Sequence, residues 1–314
     1  MKTRLPIRLL VSLLFIVIVS VVCNAQAVPP QKTFVSGTGS DLNPCTRTAP
    51  CQTFAGALAN TAAGGEIDVL DTADYGPVTI NQAVSIVAKG VAAGISVTSG
   101  SAITVHGGPT DLIVIRGLSL DGSGTATSGI LFNHGGILQI DNCAFNNFTG
   151  NGVDFNPDLN PSTLEIRDST FRNNGGAAST TGGVYTHPGA SVGMKVTLDH
   201  VHFDHNTIGL RADDGSTVTM KDSDISQSTL TGVFANTIGS TSVTMVVENC
   251  NVSQNLVDGV TSKGASTIFL SNTSVTRNGG MGLRETGGTI VSFGNNRIAS
   301  NGVDGNPTFT TPQK

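Results

Sequence analysis

The residues with the most obvious chemical potential lie in LDHVHFDHN, where His200, His202, His205, Asp199 and Asp204 crowd into seven positions. Imidazole nitrogen and carboxylate oxygen are the donors that divalent transition metals take, so this stretch raises a metal site as one hypothesis. A second set is more dispersed. Asp154, Arg211, Asp213, Asp214 and Arg284 supply carboxylates fit for acid or base work and cations fit to neutralise a sugar acid, the two requirements for cleaving an acidic glycan. Cys45 and Cys51 enclose Thr46-Arg47-Thr48-Ala49-Pro50, and in an oxidising compartment such a short loop is closed by a disulfide.

Which of these groups can meet depends on a repeat that runs from Gly117 to the C-terminus. Its bend positions are Gly117, Asn142, Asp168, His200, Asp222, Asn249, Asn272 and Asn295, spaced by 25, 26, 32, 22, 27, 23 and 23 residues. Three residues after each bend comes an apolar residue: Leu120, Phe145, Phe171, Phe203, Ile225, Val252, Val275 and Ile298. Six residues after it, five of the eight copies carry Asn: Asn174, Asn206, Asn255, Asn278 and Asn301. Before the bends, Leu138-Gln139-Ile140 and Leu164-Glu165-Ile166 alternate apolar and polar, the period of a strand with one buried face. Such a unit cannot bury its own apolar side and must stack on its neighbours as a solenoid. Asn and Asp suit the bends because they tolerate left-handed backbone angles, and their stacked amides can bond from level to level. A leucine-rich repeat has a similar length, but its leucine and asparagine consensus is absent.

This grammar resembles the right-handed parallel β-helix of the pectin-lyase-like superfamily over roughly residues 65–305. The resemblance implies an all-β fold, a right-handed single-stranded parallel β-helix with a short N-terminal cap helix. The superfamily holds pectate and pectin lyases, polygalacturonases, alginate-modifying enzymes, phage tailspikes and exported proteins with no known activity. Its catalytic sets are not assembled in this chain. Asp213-Asp214 is the one fragment of a polygalacturonase set, and His106 and His134 stand in Val-His-Gly-Gly and Asn-His-Gly-Gly. There is no Trp to stack on sugars, and Tyr75 and Tyr185 are the only Tyr.

The solenoid also limits the two chemical sets. His200 falls on a bend, His202 points outward and His205 nears the next bend, so the imidazoles diverge. The glycines that open the next strand, among them Gly152, Gly183, Gly209 and Gly282, are followed two residues later by Asp154, Tyr185, Arg211 and Arg284 on the outer face. Arg211 and Arg284 are three coils apart, about 14 Å at one strand spacing per coil. They cannot serve one reacting centre, and scattered charges on a solvated face are the simpler expectation. No metal or cofactor is expected.

Residues 1–27 read as a signal peptide: Lys2, Arg4 and Arg8 precede the apolar run Leu9–Val22, and Ala25-Gln26-Ala27 supplies the small residues of a cleavage site. A lipoprotein anchor on Cys23 competes, but bulky Val22 precedes it. Removing three Lys/Arg and no Asp/Glu takes the net charge from -5 to -8, which leaves no electrostatic footprint for nucleic acid and no membrane span. Residues 28–65 read as an N-terminal cap that resembles the opening segment of exported β-helix proteins, with a short helix at Thr53–Thr61 that carries Phe54, Ala57 and Leu58 on one face. Residues 66–305 form the helix proper and residues 306–314 a tail lying on the last coil or fraying. Cys143 and Cys250 sit four coils apart and read as buried thiols. The expected protein is secreted, periplasmic or on the cell surface, a non-catalytic carbohydrate-binding or scaffold protein. The alternative is a polysaccharide lyase or glycoside hydrolase for acidic glycans.

Overall fold

In the computed structural model, Leu138 and Ile140 of the strand Ile137–Asp141 are buried while Gln139 and Asp141 face outward, the two-residue alternation that β pleating imposes. The structure describes residues 29–158, 161–189 and 193–312. The signal peptide expected at residues 1–27, including Cys23, lies outside them. Three sheets of 12, 9 and 10 strands run through the described residues, and strands adjacent in space are, away from the ends, three apart in sequence. The chain therefore visits each sheet once per coil, and the pairings between strands are parallel. Connections of this kind are right-handed because only that hand suits the strand twist, and the fold is a right-handed parallel β-helix.

The bends fall where the repeat places them. Asn142, Asp168, His200, Asp222, Asn249 and Asn272 adopt φ between +46° and +53°. The eighth differs by one residue. Gly294, with φ +81°, takes the left-handed conformation in place of the expected Asn295, because glycine reaches that region without a Cβ clash. Five residues after each of the six bends from Asn142 to Asn272 a second left-handed corner follows, at Asn147, Asn173, His205, Gln227, Gln254 and Arg277.

Between the two corners lies the apolar file. Leu120, Phe145, Phe171, Phe203, Ile225, Val252 and Val275 are paired in direct register and buried, and the partly buried Ile298 closes the file. The rings of Phe145 and Phe171 stack at 4.6 Å and those of Phe171 and Phe203 at 5.1 Å. Across the interior, glycine provides the room: a Cβ on Gly152 would stand 2.5 Å from the Phe171 ring. Just past the second corner the Asn side chains turn inward and bond along the axis. Asn174 Nδ2 donates to Asn206 Oδ1 at 3.0 Å, Asn255 to Asn278 at 2.8 Å, and Asn278 to Asn301 at 2.8 Å. Ser228 interrupts the row between Asn206 and Asn255, and its backbone N–H donates to Asn255 Oδ1 instead. These bonds matter because a buried amide left unpaired costs about 1–3 kcal/mol.

At the N-terminal end, the Thr53 hydroxyl caps the helix Phe54–Asn60 by accepting from Gly56 N at 2.9 Å. Phe54, Ala57 and Leu58 are buried, and the helix packs on the strands Lys32–Val35, Gly65–Val69 and Val78–Ile80. Cys45 and Cys51 form a disulfide. At the other end, Phe309–Thr310 pairs with Thr289–Ser292, so the tail lies on the last coil. No described helix is long and apolar enough to cross a membrane.

Candidate functional site

The nine-stranded sheet carries the outward file that the glycine spacing defines. Leu131, Asp154, Tyr185, Arg211, Phe234, Thr261 and Arg284 are paired in direct register, one per coil. Asp154 and Arg211 are thus two strands apart with Tyr185 between them, and Arg284 lies three strands beyond Arg211.

The centre of this file is not the solvated face that scattered charges suggested. Arg211 is only 6% exposed and Asp213 only 3%. The Arg211 guanidinium is gripped in two directions. Nε and Nη2 donate to the two oxygens of Asp213 at 3.0 and 2.9 Å, and Nη1 donates to the Ser179 carbonyl at 2.6 Å. The rings of Tyr185 and Phe234, one coil before and one after, lie 5.2 and 5.1 Å from its centre, within cation–π range. Asp213 is satisfied as completely, since it also accepts from the Tyr185 hydroxyl at 2.7 Å and from Asn236 Nδ2 at 3.1 Å. Burial, reinforced by the Asp213 carboxylate, pushes the Tyr185 phenol well above its ordinary pKa.

Beside this buried knot sits a more accessible pair. His187 Nε2 and Asp154 Oδ1 are 2.6 Å apart, Asn151 Nδ2 donates to the other Asp154 oxygen at 3.0 Å, and the His187 ring stacks on Tyr185 at 4.0 Å. Residue types alone did not single out His187. Its place, four residues after Gly183 and one alternation beyond Tyr185, puts it on the same outer face, while its partner Asp154 is 33 residues away in sequence.

The other charged candidates are held apart from this cluster. Asp214 turns to the neighbouring loop and accepts from Ile238 N and Gly239 N at 2.8 and 2.5 Å. Arg284 pairs with Asp258 through both Nε and Nη2, and that partner raises the guanidinium pKa. The three histidines of the 198–206 stretch do not converge. His200 bonds Asp199 at 2.7 Å, His202 pairs with Asp224 at 3.2 Å and His205 with Asp204 at 2.8 Å. Donor atoms of Asp199, His200 and Asp222 do lie within 4.8 Å of one another. Lys221 Nζ, however, occupies Asp199 at 3.0 Å. Burial would raise the Asp199 pKa, but the bonds from Lys221 and His200 outweigh it and hold the carboxyl below its usual value. One of the three candidate ligands is thus already paired with an ammonium.

Cys143 and Cys250 are buried free thiols, and desolvation lifts their pKa values to about 11 and about 12. Neither has the electropositive, accessible setting of a reactive thiol.

The class defined by this architecture is the single-chain right-handed parallel β-helix. Residues 182–306 match the family profile described as a right handed beta helix region. Among solved structures, pectate lyase Pel9A is similar with a TM-score of 0.54 and 12% identity, covering 83% of this chain and 67% of that one. A rhamnogalacturonan lyase is similar with a TM-score of 0.43 and 14% identity, covering 80% of this chain and 75% of that one. No curated protein matches the sequence significantly. At 12% identity the likeness to the pectate lyase is one of fold, and chemistry has to be argued from side chains.

Proposed function

We propose that this protein is an exported β-helix that binds a glycan on the outer surface of the solenoid and does not cleave it, serving as an extracellular or cell-surface binding or scaffold protein. One observation carries the reading: Arg211, the guanidinium best placed to neutralise a sugar acid, is spent inside the protein. Three of its five N–H donors serve Asp213 and Ser179, and both its faces are covered by Tyr185 and Phe234. A cation that must meet a substrate carboxylate needs open donors and open access. The disulfide between Cys45 and Cys51 is in keeping with export.

Cleavage of an acidic glycan is the second reading, and the partly exposed pair of His187 and Asp154 favours it. An imidazole oriented by a carboxylate is a competent general base, but a base alone does not stabilise the charge that develops on a uronate. A degradation screen over pectin, alginate and glycosaminoglycans, run with affinity electrophoresis on the same glycans, separates the two. Retardation without new reducing or unsaturated ends is expected. Turnover that disappears in His187→Ala would establish the enzyme instead.

A further inference from the structure

The outer face of the twelve-stranded sheet carries a row of charges whose signs follow a rule. Where its strands approach the first corner, Arg116, Asp141, Arg167, Asp199, Lys221 and Glu248 stand in direct register, one per coil, and positive alternates with negative without a break. The row ends at neutral positions, Val87 before it and Ser271 after it. Arg116, Arg167 and Glu248 are exposed, while Asp141, Asp199 and Lys221 are partly so.

Pairing within the chain explains part of the pattern. Arg116 Nε meets Asp141 at 2.7 Å and Lys221 Nζ meets Asp199 at 3.0 Å, while Arg167 Nη2 turns to Glu165 at 3.1 Å. It does not explain the even length. An alternating row of even length changes every sign when it is reversed, so it is complementary to its own reverse; a row of odd length would set like charge on like.

We propose that this face is the interface of a two-fold dimer in which a second copy of the chain lies antiparallel to the first. A two-fold axis parallel to the strands, passing between Ser162–Arg167 and Met194–Asp199, reverses the order of the coils and keeps each position along the strand opposite itself. Arg116 then faces the partner's Glu248, Asp141 the partner's Lys221 and Arg167 the partner's Asp199, and each pair occurs twice, as an isologous contact requires. The inference is independent of the glycan-binding reading and leaves the nine-stranded sheet, with His187 and Asp154, uncovered.

The rest of the face obeys the same axis. Two residues before the charges, the outward file runs Val114, Gln139, Glu165, Thr197, Thr219 and Val246. Val114 meets the partner's Val246, Gln139 the partner's Thr219 and Glu165 the partner's Thr197, so apolar faces apolar at both ends and hydroxyls answer the polar groups between. One alternation further, Leu112 and Ile137 stand side by side, 42% and 37% exposed. The axis lays them on the methyl-bearing Thr244 and Thr217 of the partner, and Lys195 on its Thr163. No two like charges meet. Six strands at about 4.8 Å and five residues at about 3.3 Å give a footprint of roughly 400 Å². That is about half of the 800 Å² per partner in a standard interface, which makes the dimer weak and reversible, with the charges setting its register.

Sedimentation equilibrium of the full chain up to about 0.5 mM tests the proposal. At about 0.15 M salt, repulsion between two acidic chains is screened beyond about 8 Å while contact pairs persist. The wild type should dimerise. Arg116→Glu alone and Glu248→Arg alone each set like charge on like twice per dimer and should weaken association at least about tenfold. An equimolar mixture of the two variants should recover it, because each altered residue then faces its opposite, a rescue that misfolding cannot produce. Cross-linking of the wild type with a zero-length carbodiimide needs no variant. Asp141 and Lys221 are three strands apart within a chain, about 14 Å, so a link between them should be found in the dimer band and not in the monomer band. A monomer at every concentration, a dimer indifferent to both reversals, a mixture that stays monomeric, or a dimer band without the Asp141 to Lys221 link would overturn the assignment.

Discussion

Replacing Phe171 by Ala should be the most damaging single truncation in the solenoid, and the structure says why it should couple to a glycine. The ring is fully buried, stacked on Phe145 at 4.6 Å with planes 2° apart and on Phe203 at 5.1 Å. Deleting a buried Phe costs about 3–5 kcal/mol, and the two aromatic contacts it loses are worth about 0.5–1.5 kcal/mol each beyond area. The site cannot collapse into the gap, because the residue facing the ring is Gly152, so the cost should reach the upper end of that range. Gly152→Ala alone should also destabilise, since its Cβ would stand 2.5 Å from Phe171 Cδ1 and 2.8 Å from the Gly183 carbonyl oxygen. With the ring gone, only the carbonyl clash remains, so the double variant should be more stable than the sum of the singles predicts by roughly 1–2 kcal/mol, a coupling expected of residues in contact. Equilibrium urea unfolding of the four proteins, followed by far-ultraviolet circular dichroism, measures this cycle. Additivity within about 0.5 kcal/mol would refute the idea that glycine is there to admit the ring.

Three further outcomes are expected. Arg211→Ala strands the buried Asp213 carboxylate and should cost about 3–5 kcal/mol in urea unfolding, whereas the paired change Arg211→Met with Asp213→Asn should recover most of it. Asn278→Ala removes the amide that links Asn255 to Asn301 and accepts from Asn255 N at 3.0 Å; a loss of about 2 kcal/mol should appear with faster hydrogen exchange at the Asn255 amide. Cys143 and Cys250 should resist alkylation in the native protein at neutral pH and react once it is unfolded, as peptide mapping would show. Because burial raises both thiol pKa values above the ordinary 9.0, to about 11 and about 12, their contribution to stability is complete below pH 9.0 and is lost as pH rises through the raised values.

The fold was legible because its signals are local and periodic. Phe145, Phe171 and Phe203 recur at a fixed offset from the bend, and strand pleating converts that offset into one inward file. The divergence of His200, His202 and His205 was legible for the same reason, since two are corner residues and one is an outward strand residue. The burial of Arg211 was not. It depends on Tyr185 and Phe234, 26 positions before and 23 after, swinging their rings over its two faces, and on the Ser179 carbonyl meeting Nη1. Alternation tells which face a side chain leaves from and not what lies across it. The same limit concealed His187, whose partner is three strands away in sequence and one in space. The displaced eighth bend was missed because Gly294 and Asn295 both suit a left-handed corner, and the choice depends on how the last strand ends.

The strict register of the coils has an evolutionary and engineering corollary. Each winding offers the next the same inward file, the same corner chemistry and the same unpaired backbone edge that it received from the one before, so the interior has no fixed centre that a particular number of windings must complete. Duplicating or excising one whole unit, such as residues 249–271, would leave every remaining junction chemically like an existing one. Length is therefore a tunable variable in this architecture, while the two differently sealed termini stay as they are.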